Sequence, residues 1–139
     1  MTGGDATTTG PVTGLSHVQL RVSDVSVSAE WYAAVLGLEP FRSDTGIGYV
    51  ALRHRPSGVV VVLTESPSPA APDSGPLDHL AFAVPDGASL DAWAEHLTSV
   101  GIDHPGVAPE NGNLSLQLRD PDGTAIELVA PRPRPRADL

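Results

Sequence analysis

Cysteine is absent from the 139 residues, which excludes disulfides, thiolate nucleophiles and zinc-finger chemistry. Lysine is absent as well, so Schiff-base chemistry is excluded too. Any metal must therefore be held by His and carboxylates. Positive charge is scarce. All eight basic residues are Arg, against 17 Asp and Glu, leaving a net charge of −9. Three of the eight (Arg132, Arg134, Arg136) sit in a Pro-Arg tail expected to lie outside the fold. Phosphate binding needs a concentrated basic face, so no nucleic-acid partner is expected. Long apolar runs are missing: the longest, Val59 to Leu63, reads as a strand, far short of the roughly 20 residues that span a bilayer. The Thr- and Gly-rich stretch Met1 to Val12 lacks the basic start and apolar core of a signal peptide. The expectation is a cytoplasmic protein without membrane association.

The chain has the length for one compact domain, or for two small halves sharing a core. Its signals come twice in the same order, each half reading strand, helix and three strands. In the first half, Leu15 to Val22 alternates like a strand, Asp24 or Ser26 can cap the helix Val27 to Leu36, and Gly37 ends it. In the second, Leu77 to Val84 is the strand and Ser89 the helix cap. Leu90, Trp93, Ala94, Leu97 and Val100 form one apolar stripe before Gly101. Short extended pieces follow at Leu38 to Phe41 and Ile102 to His104. Two further strands then close each half, Tyr49 to Arg53 with Val59 to Leu63, and Leu114 to Leu118 with Thr124 to Val129. Matching turns join them, Arg55-Pro56-Ser57-Gly58 and Asp120-Pro121-Asp122-Gly123, in which Pro sets φ and Gly takes the strained position. The division is thus a tail over 1–13, a first βαβββ module over 14–66, a Pro- and Ser-rich linker over 67–75, a second module over 76–130 and the Pro-Arg tail over 131–139.

This double βαβββ order, with GLSHVQLRVSD opening one half and LDHLAFAV then RDPDGTAIELV in the other, resembles the vicinal oxygen chelate superfamily. That group includes glyoxalase I, extradiol dioxygenases, methylmalonyl-CoA epimerase, fosfomycin-resistance enzymes and bleomycin-binding proteins. The resemblance implies an α+β fold of two βαβββ modules whose curved mixed sheets surround a metal-binding cavity. It also implies metal ligands on the first strand of each half and on the last strand of one or both. Carried over by position, these are His17, His79 and Glu127, the last four residues beyond Gly123. The fourth position, four residues beyond Gly58, is Val62. Glu65 lies nearby but on the opposite strand face.

Strand parity gives a reading independent of the resemblance. His17 shares a face with Leu15, Gln19 and Arg21, while Val18, Leu20 and Val22 take the other. His79 shares one with Ala81 and Ala83, against Leu80, Phe82 and Val84, and Glu127 opposes Ile126 and Leu128. Each candidate ligand therefore opposes a bulky core face, as expected where the other face lines a hollow. Two imidazoles and a carboxylate there form a facial triad. It leaves about three sites of an octahedral ion open to water and a substrate chelating through two neighbouring oxygens. Fe(II) is favoured, with Mn(II), Zn(II), Ni(II) or Co(II) possible. Gln19, Ser115 and Gln117 are candidates to line the cavity and touch substrate. Trp31, Tyr32 and Trp93 are assigned to the core or an interface, and His96 to the exposed side of its helix.

Three functions follow. One is a metalloenzyme of dioxygenase, isomerase, epimerase or lyase type acting on a small oxygen-bearing substrate. Another is a sequestering protein of the bleomycin-resistance type, which predicts loss of the ligand residues. The last is a fosfomycin-type thiol transferase. It resembles a pattern with Thr two residues after the first His, where this chain has Gln19, and with basic residues for the phosphonate. Because His17 lies in one half and His79 and Glu127 in the other, the halves must pair within a chain or across two. The expected assembly is a homodimer whose two sites are shared between chains.

Overall fold

The computed structural model describes residues 10–44, 46–66 and 75–131. Most of both tails and most of the linker lie outside them. Strand β1 (Val18–Val22) leads into helix α1 (Val25–Leu36) and strands β2 (Glu39–Asp44), β3 (Tyr49–His54) and β4 (Val59–Glu65). Strand β5 (Leu80–Ala83) then leads into helix α2 (Gly87–Ser99) and strands β6 (Ala108–Glu110), β7 (Asn113–Arg119) and β8 (Ala125–Pro131). The sheets have the orders β1-β4-β3-β2 and β5-β8-β7-β6. In each, the first and last strands run parallel, a pairing that needs the crossover supplied by helix and hairpin. The fold is therefore α+β, with two mixed four-stranded sheets and one helix to each, as the repeated sequence order implied.

Local chemistry sets the helix ends. Asp24 caps α1, its carboxylate accepting from the amides of Ser26 and Val27 at 3.0 and 3.1 Å. Gly37, at φ 75°, closes the other end, where Leu38 N–H reaches the Tyr32 carbonyl at 3.2 Å. The cap of α2 is Asp86 rather than Ser89. Asp86 starts the helix three residues earlier, and its carboxylate accepts from both the amide and the hydroxyl of Ser89 at 2.9 and 2.8 Å. These bonds to the ionised form hold the Asp86 carboxyl below the usual carboxylate range.

The core is where strand parity placed it. Leu20, Val22, Leu52, Val61 and Leu63 face α1, which contributes Val25, Ala29, Tyr32 and Val35. Leu116, Leu118, Ile126 and Leu128 lie on the helix side of the second sheet, where Leu90 and Leu97 of α2 are fully buried. Val100 leaves the expected stripe and is exposed, because α2 ends at Ser99. The strand expected at Ile102 to His104 forms instead at Ala108–Glu110. Pro105 has no amide to donate, and the ring of His104 is tied back to α2, with Nε2 3.1 Å from the Ala94 carbonyl and 2.9 Å from the Thr98 hydroxyl.

The modules are bonded to each other through the Asp-Pro-Asp-Gly turn. Fully buried Tyr32 donates to the buried Asp120 carboxylate at 2.8 Å, and Asp122 accepts from the Ser23 amide at 3.1 Å. Burial, then the neighbouring Asp120 charge, pushes the Tyr32 hydroxyl far above its ordinary pKa, so it stays a donor at every physiological pH. His96, expected to be exposed, is half-buried between the modules. Its Nε2 lies 3.3 Å from the Val35 carbonyl, with Trp93 edge-on at 5.5 Å.

Candidate metal centre

The second module carries the densest group of candidate ligands. His79 stands just ahead of β5, and Glu127 lies in β8, opposite Ala81 on one side and Gln117 on the other. Imidazole Nε2 and Glu127 Oε1 are 3.3 Å apart. Asp78 Oδ1 lies 2.7 Å from the other ring nitrogen, Nδ1. Ser115, buried on β7, donates its hydroxyl to Glu127 Oε2 at 2.6 Å. Asp78 thus orients the ring, and Ser115 turns one carboxylate oxygen away, so that Nε2 and Oε1 converge.

Two carboxylates facing both nitrogens of one imidazole make a specific electrostatic demand. With Nδ1–H donated to Asp78, the Nε2 lone pair points at a carboxylate oxygen, which is satisfied only by a proton or a cation between them. Accordingly the His79 pKa is raised, foremost by its bond to Asp78 and further by the charge of Glu127. The 3.3 Å gap is close to the edge of a coordination octahedron with bonds of about 2.1 Å, which is roughly 3 Å. The pair fits a divalent ion in donor type and in spacing.

Glu110 is a member of this group that the sequence reading missed. It ends β6, accepts from Gln117 Nε2 at 3.3 Å, and has its pKa raised foremost by a hydrogen bond to Glu127. The neighbouring carboxylate disfavours the ionised form of Glu110. Asn111-Gly112, with φ of 50° and 81°, makes the tight turn from β6 into β7. That Asn-Gly pair was the available signal, and it would have placed a strand ending at Glu110.

His17 is elsewhere. It precedes β1 as an exposed residue, with Nδ1 3.1 Å from the Ser16 hydroxyl. Among the described residues no three His, Asp or Glu side chains are grouped to hold a metal, so one chain brings His79 and Glu127 together without His17. A cleft of about 210 Å³ lies at His17, with the start of β4 on one wall and Leu80 to Ala83 of β5 on the other. Gln19 is exposed on β1 beside Val62, which fills the fourth family position as a buried apolar residue. Glu65 has a structural post: Oε1 accepts the Val25 amide at 2.9 Å, capping α1 from a strand end that passes close to Gly48.

A family model described as the glyoxalase/bleomycin resistance protein/dioxygenase superfamily matches residues 14–128. The catechol-2,3-dioxygenase of Bacillus subtilis (strain 168) is 30% identical over 131 residues, covering 88% of this chain but 43% of the relative. The chain thus spans less than half the length of that enzyme. A glyoxylase/bleomycin resistance protein/dioxygenase domain from Frankia sp. EAN1pec superimposes with a TM-score of 0.74 at 29% identity, covering 88% of this chain and 94% of that one. A substituted form of the fosfomycin resistance protein FosX from Listeria monocytogenes, solved with Mn(II) and 1S,2S-dihydroxypropylphosphonic acid, shares the fold. Its TM-score is 0.70 at 20% identity, over 88% and 93% of the two chains. Matched along most of its length, the chain belongs to the glyoxalase/bleomycin resistance protein/dioxygenase superfamily.

Proposed function

We propose that the protein is a divalent-metal enzyme acting on a small substrate that chelates through two neighbouring oxygens, with His79 and Glu127 of one chain and His17 of a second copy as the protein ligands. The observation that carries this is the convergence of His79 Nε2 and Glu127 Oε1 at 3.3 Å, backed by Asp78 and Ser115. A lone carboxylate on a strand would not need both supports. A bound divalent ion, Fe(II) by preference from the His-His-carboxylate set, would polarise the chelated oxygens and stabilise an enolate or alkoxide. The chain's own residues then orient and proton-balance the site. Asp78 fixes the imidazole tautomer, and Ser115 leaves one Glu127 oxygen free. Gln117 steadies Glu110, the nearest group able to hold a substrate proton. Gln19 and Ser115 are assigned to the cavity wall. Similarity to the B. subtilis catechol-2,3-dioxygenase supports dioxygenation of a catechol as the first reaction to assay.

The dimer follows from His17. Standing apart from the pair within one chain, it can join the site only from a partner in which the first module of one copy faces the second module of the other. Elemental analysis of wild type and of His17→Ala, His79→Ala and Glu127→Ala tests the ligand set, and unchanged metal in all three would refute it. Exchanging subunits between His17→Ala and Glu127→Ala tests the sharing. The mixed dimer would contain one wholly intact site and so recover metal that neither parent holds. No recovery would place the site within a single chain. Absence of metal from the wild type, with small-molecule binding intact in His79→Ala, would favour sequestration instead.

A further inference from the structure

The first module's open face carries a group of arginines. Strand register puts Gln19 and Arg21 of β1, Val60, Val62 and Thr64 of β4, Tyr49, Ala51 and Arg53 of β3, and Arg42 of β2 on one face, opposite the residues packed on α1. In a chain of net charge −9, Arg21, Arg42 and Arg53 form no ion pair among the described residues. The face also carries Glu39 and Asp44, but both are engaged, Glu39 by Arg55 at 3.5 Å and Asp44 by the Gly46 amide at 3.0 Å. Arg53 differs from the other two. Its guanidinium carbon lies 4.6 Å from the centroid of the Phe41 ring, and its Nε is the single buried side-chain nitrogen or oxygen without a hydrogen-bond partner among the described residues. A flat cation braced on an aromatic face, with its Nε enclosed and no carboxylate paired to it among the described residues, is held in place to receive an oxyanion at its outer edge.

Its position relates it to the candidate metal centre. Val18 pairs with Val61, so His17 continues the same row beside Val60, and Val60 pairs with Arg53. His17 and Arg53 therefore stand in one cross-strand row with only Val60 between, two strand spacings or roughly 10 Å apart. Metal–nitrogen and guanidinium–oxygen contacts occupy the ends of that span, leaving room for one small ring or short chain over an apolar floor.

We propose that Arg53, braced by Phe41, anchors the oxyanion of the substrate, which makes the substrate an acid carrying its chelating oxygen pair at one end and a carboxylate or phosphonate at the other. This rests on the metal-chelation reading above for the identity of the other end. The test is isothermal titration under nitrogen with two probe pairs: catechol against 3,4-dihydroxybenzoate, and 1,2-propanediol against 1,2-dihydroxypropylphosphonic acid. Wild type, Arg53→Gln and Arg53→Lys are each measured with Mn(II) and after EDTA treatment. The acid of at least one pair should bind wild type about tenfold or more tightly than its neutral partner. Arg53→Gln should erase that preference while leaving catechol affinity and metal content unchanged, and Arg53→Lys should keep part of it. The pair that shows the effect identifies the anion. Survival of the preference after EDTA with loss of catechol binding supports both ends of the site. Survival with catechol binding unaffected refutes chelation but not the anchor. No preference in wild type for either acid, or a preference undiminished in Arg53→Gln, overturns the proposal.

Discussion

The two modules share strand order, helix placement and a Gly-terminated turn ahead of the last strand, yet their open faces have diverged chemically. The second sets His79 and Ser115 against the two oxygens of Glu127, with Glu110 beside that carboxylate. The first offers Gln19, Arg21 and Arg53 around buried Val62 and Ala51. Position for position, Glu127 answers to Val62. The repeated order keeps what the core requires and leaves the other face of each sheet free to differ, because strand alternation lets side chains there change without disturbing the residues packed on the helix.

The largest effect should come from removing the second module's asymmetry. His79→Ala or Glu127→Ala deletes half of the converging pair and should lower metal affinity by more than about 100-fold, beyond the 10–100-fold typical of supporting residues such as Ser115. Metal content after dialysis measures it, and retention in both variants would dissolve the distinction between the faces. Making the first module resemble the second is the complementary experiment. Val62→Glu would bury a carboxylate at a site only 6% exposed. In metal-free protein it should cost several kcal/mol in urea unfolding, because an unpaired buried charge is desolvated without compensation. A neutral outcome would mean that the first face is more open to water than Val62 suggests.

Much of this division can be read from the chain itself. Alternation around His17, His79 and Glu127 separates core from open face, and Gly58 and Gly123, at φ 77° and 83°, take the matching turn positions. Glu110 was hidden because its strand is three residues long and follows Pro105-Gly106, while the competing apolar run at Ile102 looked more strand-like. The partnership of Tyr32 with Asp120 spans 88 positions, a distance over which periodicity carries no information. His17 could be recognised as a candidate, but its separation from the pair depends on how the modules dock, and that is decided by bonds such as Ser23 to Asp122.

Those docking bonds set the next prediction. Tyr32→Phe leaves the Asp120 carboxylate buried without its cross-module donor, while Asp120 keeps the amides of Asp122 and Thr124 at 3.0 and 2.8 Å. The expected loss is about 1–3 kcal/mol, read as a lower urea midpoint. If both modules keep their spectra while the transition loses cooperativity, the bond joins the modules. If the transition stays sharp at an unchanged midpoint, docking does not depend on this bond.

The smallest effect is a difference in sign. In metal-free protein His79 has a raised pKa because its protonated ring bonds Asp78 and faces Glu127. Its stabilising contribution is therefore full below the unfolded imidazole value, near 6.5, and is lost as pH rises through the higher folded value. The gain is small, since the side chain is 47% exposed and solvent screens it. Metal reverses the dependence, because Nε2 must be unprotonated to bind a cation. Metal-loaded protein should thus lose its ion as pH falls, starting above the range of an ordinary imidazole. Asp78→Asn should move that onset downward by removing the main cause of the shift. Thermal midpoints across pH 5 to 8, with and without Mn(II), should therefore slope in opposite directions. Parallel slopes would mean that the proton and the metal do not compete for Nε2 of His79, and that the ring's bridging position between Asp78 and Glu127 serves the fold alone.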